Sequence, residues 1–228
     1  MIRKKHAFTL IEVLAVLTII GILAAFLFPS IGSAIDRAQK VKDASNMRQI
    51  AMAYINYMHD NSGGRELSQC KNLYEFANIL AKRDYLKTAE VYFSDLDPLV
   101  SASRLKKPKL IGKLSNGIWR PSENFLKFPL SVVVVLNISS SAPSSTTPII
   151  YSRGLDVNAG TWGKEGVYGE EGGFVAFLDG RVKFFSNLTD EESQMLGFYT
   201  GDSTKKLSDA LNRGARAIGS NGMEWELP

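Results

Sequence analysis

Glu12 is the residue whose type and position most demand a chemical account. It is the only charge between Phe8 and Phe28, a run of 21 residues. As a helix rising about 1.5 Å per residue, that run measures roughly 31 Å, the thickness of a bilayer's hydrocarbon core. A carboxylate at such depth costs several kcal/mol, so it either reaches the headgroups or meets a cation. No basic residue lies within the run, so a cationic partner has to come from another chain. Other chemistry is sparse. His6 and His59 stand far apart and share no metal-ligand spacing or Ser-His-Asp pattern. Cys70 is the single cysteine, which excludes an internal disulfide. It reads as an inert thiol with no neighbouring base.

Stepping outward from Glu12, the element that must hold it is a helix. Arg3, Lys4 and Lys5 precede the apolar run and no such cluster directly follows it. The positive-inside rule then puts the N-terminus in the cytoplasm and the rest beyond the membrane. Past Pro29, apolar residues recur at Ile31, Ile35, Ala38, Val41, Ala44, Met47, Ile50, Tyr54 and Met58. That is helical periodicity, with Asp36, Arg37, Lys40, Lys42, Asp43 and Arg48 on the other faces. Asn61-Ser62-Gly63-Gly64 is a stop signal. One helix is therefore expected from about Phe8 to about Asp60, roughly 80 Å long. Pro29 lacks an N–H and predicts a kink. A cleaved signal peptide is the competing reading, with small residues at Gly32 and Ala34, but the periodicity continues through that point.

The formal net charge of +4 resides mostly in the leader, because three of the 27 basic residues are Arg3, Lys4 and Lys5 and there are 23 acidic ones. A general nucleic-acid-binding surface is therefore not expected. Arg104, Lys106, Lys107, Lys109 and Lys113 form a local basic run, read as a solvated loop with a partner patch as the alternative.

Beyond residue 61 a helix is expected at about Asn72–Ala81 with Ser68 as N-cap. Residues 95–128 read mainly as loops, with short strands near Lys109–Ile111 and Gly117–Arg120. Ser131–Leu136, Ile149–Ser152, Phe174–Leu178 and Arg181–Phe185 read as strands. Asp179-Gly180 joins the last two as a hairpin, with a type I′ turn expected. Four strands with no helix between them predict an antiparallel sheet and an α+β fold. Thr189 and Glu192 suggest a capping box for a helix to about Leu196. A last helix is expected near Lys205–Arg213.

The stretch "KKHAFTLIEV" resembles the processing signal of type IV pilins and type II secretion pseudopilins. Counted from Phe8, Glu12 is the fifth mature residue and Pro29 the twenty-second, as in that family; Ala7 stands where Gly is usual before the cut. The stretch "GGFVAFLDGRV" resembles, more loosely, a C-terminal signature of pilin-like proteins, with Gly169 and Arg181 where histidines are usual. The resemblance implies a pilin-like fold, a long N-terminal helix packed on a four-stranded antiparallel sheet. It implies a leader at 1–7, a transmembrane and filament-core half-helix at 8–29, an amphipathic half at 30–60 and a periplasmic domain at 61–228.

It further implies a structural subunit, a major G-type pseudopilin rather than an enzyme. A prepilin peptidase would cut between Ala7 and Phe8, and the new Phe8 amine would be methylated. Glu12 would pair with that amine on the neighbouring subunit. Implied partners are the peptidase, other copies of the chain, minor pseudopilins, the inner-membrane assembly platform and the bilayer, with no nucleic acid. Calcium binding in a C-terminal loop is known in the family, which makes Asp156, Glu170 and Glu171 candidate ligands. Their spacing matches no EF-hand loop, and solvated acids are the simpler reading. The other functional class is a monomeric, single-pass anchored periplasmic binding or sensor domain.

Overall fold

The computed structural model describes residues 9–61, 64–189 and 195–228, with the backbone alone for residues 27–30. The chain divides into two units, Met1–Lys40 and Val41–Pro228. Helix α1, Leu10–Asp60, contributes to both. In the first unit its large side chains from Leu10 to Phe26 face outward, Leu10 being 85% and Phe26 76% exposed. The apolar stripe expected from Ile31 onward is not covered at its start. Ile31, Ile35 and Val41 stay 47%, 61% and 70% exposed, and burial begins at Asp43 and Met47. The covering layers rest on strands of four and five residues, spanning only about 13–17 Å, so they shield few turns of the helix.

The second unit is built on one six-stranded antiparallel sheet, not the four strands expected. Its strands are β1 Val132–Leu136, β2 Pro148–Ser152, β3 Gly173–Phe177, β4 Val182–Phe185, β5 Arg216–Gly219 and β6 Gly222–Glu226. Their spatial order is β6-β5-β1-β2-β3-β4. The four expected strands lie side by side in chain order. The C-terminal hairpin then returns to the free edge of β1, where Ala217 faces Val135. Left open, that edge of a wholly buried strand would expose unpaired backbone groups.

The strands β1, β2 and β3 are buried on both faces, whereas the edge strands β4 and β6 are largely not. Val132, Val134, Leu136, Phe174 and Ala176 join one core with Met47, Ile50, Tyr54 and Tyr57 of α1 and Phe76 and Leu80 of α2, Leu73–Lys82. Val133, Val135, Val175 and Phe177 join a second core with Leu188, Met195, Leu207, Leu211 and Ala215. Tyr54 Oη donates to the Val135 carbonyl at 3.1 Å, tying α1 to β1.

Asp43, expected on a solvent face, is buried. It accepts from Ser94 Oγ at 2.5 Å and Tyr168 Oη at 2.9 Å. The Ser94 amide donates to Ser131 Oγ at 2.9 Å, and Ser131 Oγ donates to Asp97 Oδ2 at 2.7 Å. Asp97, fully buried, also accepts from Arg153 Nη2 at 2.6 Å and the Leu99 amide at 2.9 Å. The chain of bonds thus joins α1 to the end of the β1–β2 pair where Val132 faces Ser152. Buried charge persists there because each carboxylate has several donors.

Local details correct several expectations. The cap of α2 is Asn72, whose side chain accepts from the Glu75 amide, not Ser68. The segment read mainly as loops holds α3, Pro98–Ala102, and α4, Glu123–Lys127; the strand expected near Gly117–Arg120 is Ile118–Pro121, in a hairpin with Gly112–Ser115, while the one expected near Lys109–Ile111 is only a single bridge from Leu110 to Thr88. That hairpin turns at Asn116 and Gly117, with φ of 51° and 75°, the left-handed pair that Asn-Gly supplies. The Glu192 end of the suggested capping box lies outside the described residues. Met195–Leu196 forms not a helix end but a short strand paired with Ser203–Thr204. In place of a helix at 205–213 there is one 3-10 turn, Ser208–Ala210. Leu207, Ala210 and Leu211 have helical spacing and are buried, but Leu211 is extended, with φ of −119° and ψ of 153°, and ends the turn.

Candidate functional site

Ala7 and Phe8, the expected cleavage and methylation residues, lie outside the described residues. Beginning at Thr9, the structure builds a reciprocal cap. The Glu12 carboxylate oxygen Oε2 accepts from the Thr9 amide and from Thr9 Oγ1, both at 2.8 Å. The Glu12 amide donates back to Thr9 Oγ1 at 3.3 Å. This is a capping box, Thr-x-x-Glu, which satisfies amides that the first turn leaves without partners. The sequence contained the signal, since the same pattern suggested a helix at Thr189. One Glu12 oxygen is used by the cap; among the described residues Oε1 accepts from nothing.

Around Glu12 the surface is apolar. Leu10, Ile11, Val13, Leu14, Val16 and Leu17 are each at least 49% exposed. Thr18 returns its hydroxyl to the Leu14 carbonyl at 2.9 Å, so it adds no polar surface that needs solvent. Among the described residues no single helix is long and apolar enough to cross a membrane. Leu10–Phe26 and Ile31–Asp60 pass by length and composition together, as a bent pair whose break contains Pro29. The bend falls where the missing proline N–H predicts it.

The hairpin at Asp179-Gly180 is present with a different turn. The Phe177 carbonyl accepts from the Gly180 amide at 2.8 Å, and the Phe177 amide donates to Arg181 at 2.9 Å. Only Gly180 has a positive φ, 81°. The loop is therefore three residues closing on a left-handed glycine, not a type I′ pair. Asp179 Oδ1 accepts from the Arg181 amide at 2.9 Å.

The calcium candidates are not gathered into one site. Asp156 Oδ1 accepts from the Asn158 and Ala159 amides at 2.9 and 3.0 Å, and these bonds hold its carboxyl below the usual range. Glu170 and Glu171 lie in a separate 3-10 turn, Gly169–Glu171. Among the described residues no group of three or more His, Cys, Asp or Glu side chains converges on one point. Trp162 and Tyr168 of the same region pack inward. Trp162 Nε1 donates to the Ser152 carbonyl at 3.1 Å, and Tyr168 meets Phe174 and Phe184 edge-on. Cys70 is buried, which pushes its thiol up to about 12.

Compared with known proteins, no curated protein and no solved structure matches this chain. Residues 2–28 match the prokaryotic N-terminal methylation motif, a type IV pilin-like signal that implies a prepilin-peptidase substrate and points to membrane anchoring through the N-terminal helix.

Proposed function

We propose that the chain is a pseudopilin, a structural subunit stored in the inner membrane and assembled into a type II secretion pseudopilus or a related pilus-like filament. The observation that carries this reading is the methylation motif at residues 2–28, whose described part from Leu10 onward is a helix with exposed apolar side chains. Arg3, Lys4 and Lys5 hold the N-terminus in the cytoplasm and leave the C-terminal domain in the periplasm. Cleavage between Ala7 and Phe8 frees an α-amine, a cation where the precursor has a neutral amide. Glu12 Oε1 is open to accept it from an adjacent subunit while Oε2 keeps its cap. Pairing lowers the cost of both charges in a low dielectric and so favours the assembled helix bundle over the lone helix. The chain is then the peptidase's substrate and catalyses nothing itself. Its partners are other copies, minor pseudopilins and the assembly platform.

Mass spectrometry of the mature N-terminus tests the reading. A product beginning at N-methylated Phe8, with subunits crosslinking through residues 8–28, is expected. A stable uncleaved monomer would instead favour an anchored periplasmic binding domain, and a product beginning near Ile35 would refute membrane retention.

A further inference from the structure

From Val41 onward 22 basic residues face 21 acidic ones, so the second unit is nearly neutral. The charges are not evenly spread. Between Pro98 and Ser122 there are six basic residues and no acidic one. Five of the six, Lys106, Lys107, Lys109, Lys113 and Arg120, line one groove of about 670 Å³ whose lining includes no carboxylate. Small-ligand sites commonly have volumes of about 300–1,000 Å³. Of these cations only Lys107 has a carboxylate partner among the described residues, Asp95, which it shares with Lys42.

The groove is built rather than merely charged. Lys113 and Arg120 are direct cross-strand partners in the Gly112–Ser115/Ile118–Pro121 hairpin. They therefore share a face, and like charges so placed repel and destabilise the pair. The neighbouring position Trp119 belongs to the other face and donates to Asn78 of α2 at 3.3 Å, which fixes which way the cations turn. The opposing wall is also held. The Ala89 amide donates to the Lys109 carbonyl at 3.0 Å, the Ile111 amide to the Lys87 carbonyl at 3.0 Å, and Asn124 Nδ2 to the Lys106 carbonyl. Both walls are thus fixed by backbone bonds while holding like charges together.

We infer that this groove is a binding site for a compound bearing two or more phosphate groups. An anion of that kind removes the repulsion between Lys113 and Arg120 and supplies the charge the lining lacks. Phosphate suits it better than carboxylate. Four of the five cations are lysines, point charges with three donors each, whereas planar carboxylates are matched by the fork of arginine. A free polyphosphate and a lipid headgroup with two phosphates share this chemistry. The site lies outside the segment that carries the proposed filament role, so either reading can fail without the other.

The test uses the full chain in phosphatidylcholine nanodiscs, reading amine labelling of Lys106, Lys109 and Lys113 by mass spectrometry. One arm adds sodium tripolyphosphate; a second incorporates cardiolipin, whose headgroup carries two phosphates, into the discs. Protection by tripolyphosphate supports a free ligand, and protection by cardiolipin alone supports a headgroup. In either case Lys113→Gln with Arg120→Gln should weaken binding by about tenfold or more, since each loses a charged hydrogen bond. Lys205→Gln with Lys206→Gln, the same charge change elsewhere, should leave it unchanged. No protection in either arm, or equal losses in the two double variants, overturns the site. Tighter binding of a short DNA duplex than of tripolyphosphate overturns the assignment in favour of nucleic acid.

Discussion

Glu12 has two roles that substitution can separate. In the cap, its Oε2 accepts from Thr9 twice at 2.8 Å. In the proposed filament, its charge meets the amine of a neighbouring Phe8. Glu12→Gln retains a side-chain oxygen for both Thr9 donors and removes only the charge. Thr9→Ala retains the charge and removes two of the three cap bonds. The cap is worth about 1 kcal/mol, but free and assembled chains both carry it, so its loss largely cancels in the assembly equilibrium. The charge does not cancel, because it is unpaired in the lone membrane helix and paired in the filament. Relief of about 3 kcal/mol, typical for an acid at the centre of a membrane helix, is roughly a hundredfold in the ratio of assembled to free subunit. The assay is the fraction of processed subunit in pelleted filaments, once mass spectrometry has shown equal cleavage. Glu12→Gln is expected to lose nearly all assembly, and Thr9→Ala to change it less than about threefold. If Glu12→Gln assembles normally while Thr9→Ala fails, Glu12 acts as a helix cap and the charge-pairing argument is wrong.

Other predictions concern the folded domain, read by tryptophan fluorescence during urea unfolding. Asp97→Ala strands the Arg153 guanidinium and removes the acceptor for Ser131 and Leu99; about 3–5 kcal/mol should be lost, and Arg153→Met in the same chain should restore part of it. Gly180→Ala, at φ of 81° and with its new Cβ 2.7 Å from Met52 Sδ, should cost about 1–2 kcal/mol. Gly180→Asn should cost less, because asparagine tolerates the left-handed region. Lys107 and then Lys42 hold the Asp95 carboxyl below its usual range, and Tyr57 with Arg83 does the same for Glu66. Both groups bind protons less readily folded than unfolded. Their stabilisation is complete above the unfolded values near pH 4 and is lost as pH falls through the lower folded values. The urea midpoint should drop below about pH 4, and Asp95→Asn should flatten that fall.

Elements whose causes are local are legible in the chain itself. The basic leader, the bilayer-length run and the 3.6-residue period specify α1, because helix hydrogen bonds join residues four apart and one face repeats within a few positions. The β-branched runs specify strands β1 to β4, and Asp179-Gly180 their last hairpin. Even so, only the structure showed that the turn has three residues, since one glycine signal serves either loop. The Thr9–Glu12 cap was legible too, as a Thr-x-x-Glu pattern at a helix start. So was the Asn116-Gly117 turn.

The remaining features depend on residues far apart in the chain. Val132–Leu136 has no polar alternation, which admits burial on both faces. Nothing local says that residues 188–215 cover the second face, or that Arg216–Glu226 closes the β1 edge instead of the β4 edge. Those choices are made by long-range pairing, whose benefit appears only when distant segments meet. Asp43 shows the same limit at a single position. Its helical phase placed it with the solvated charges, yet Ser94 and Tyr168, 51 and 125 residues away, arrive as donors and make its burial tolerable. The basic groove follows that rule as well. The sequence showed a charged stretch, but the register that sets Lys113 against Arg120 and turns them away from α2 exists only once the hairpin has folded onto the domain.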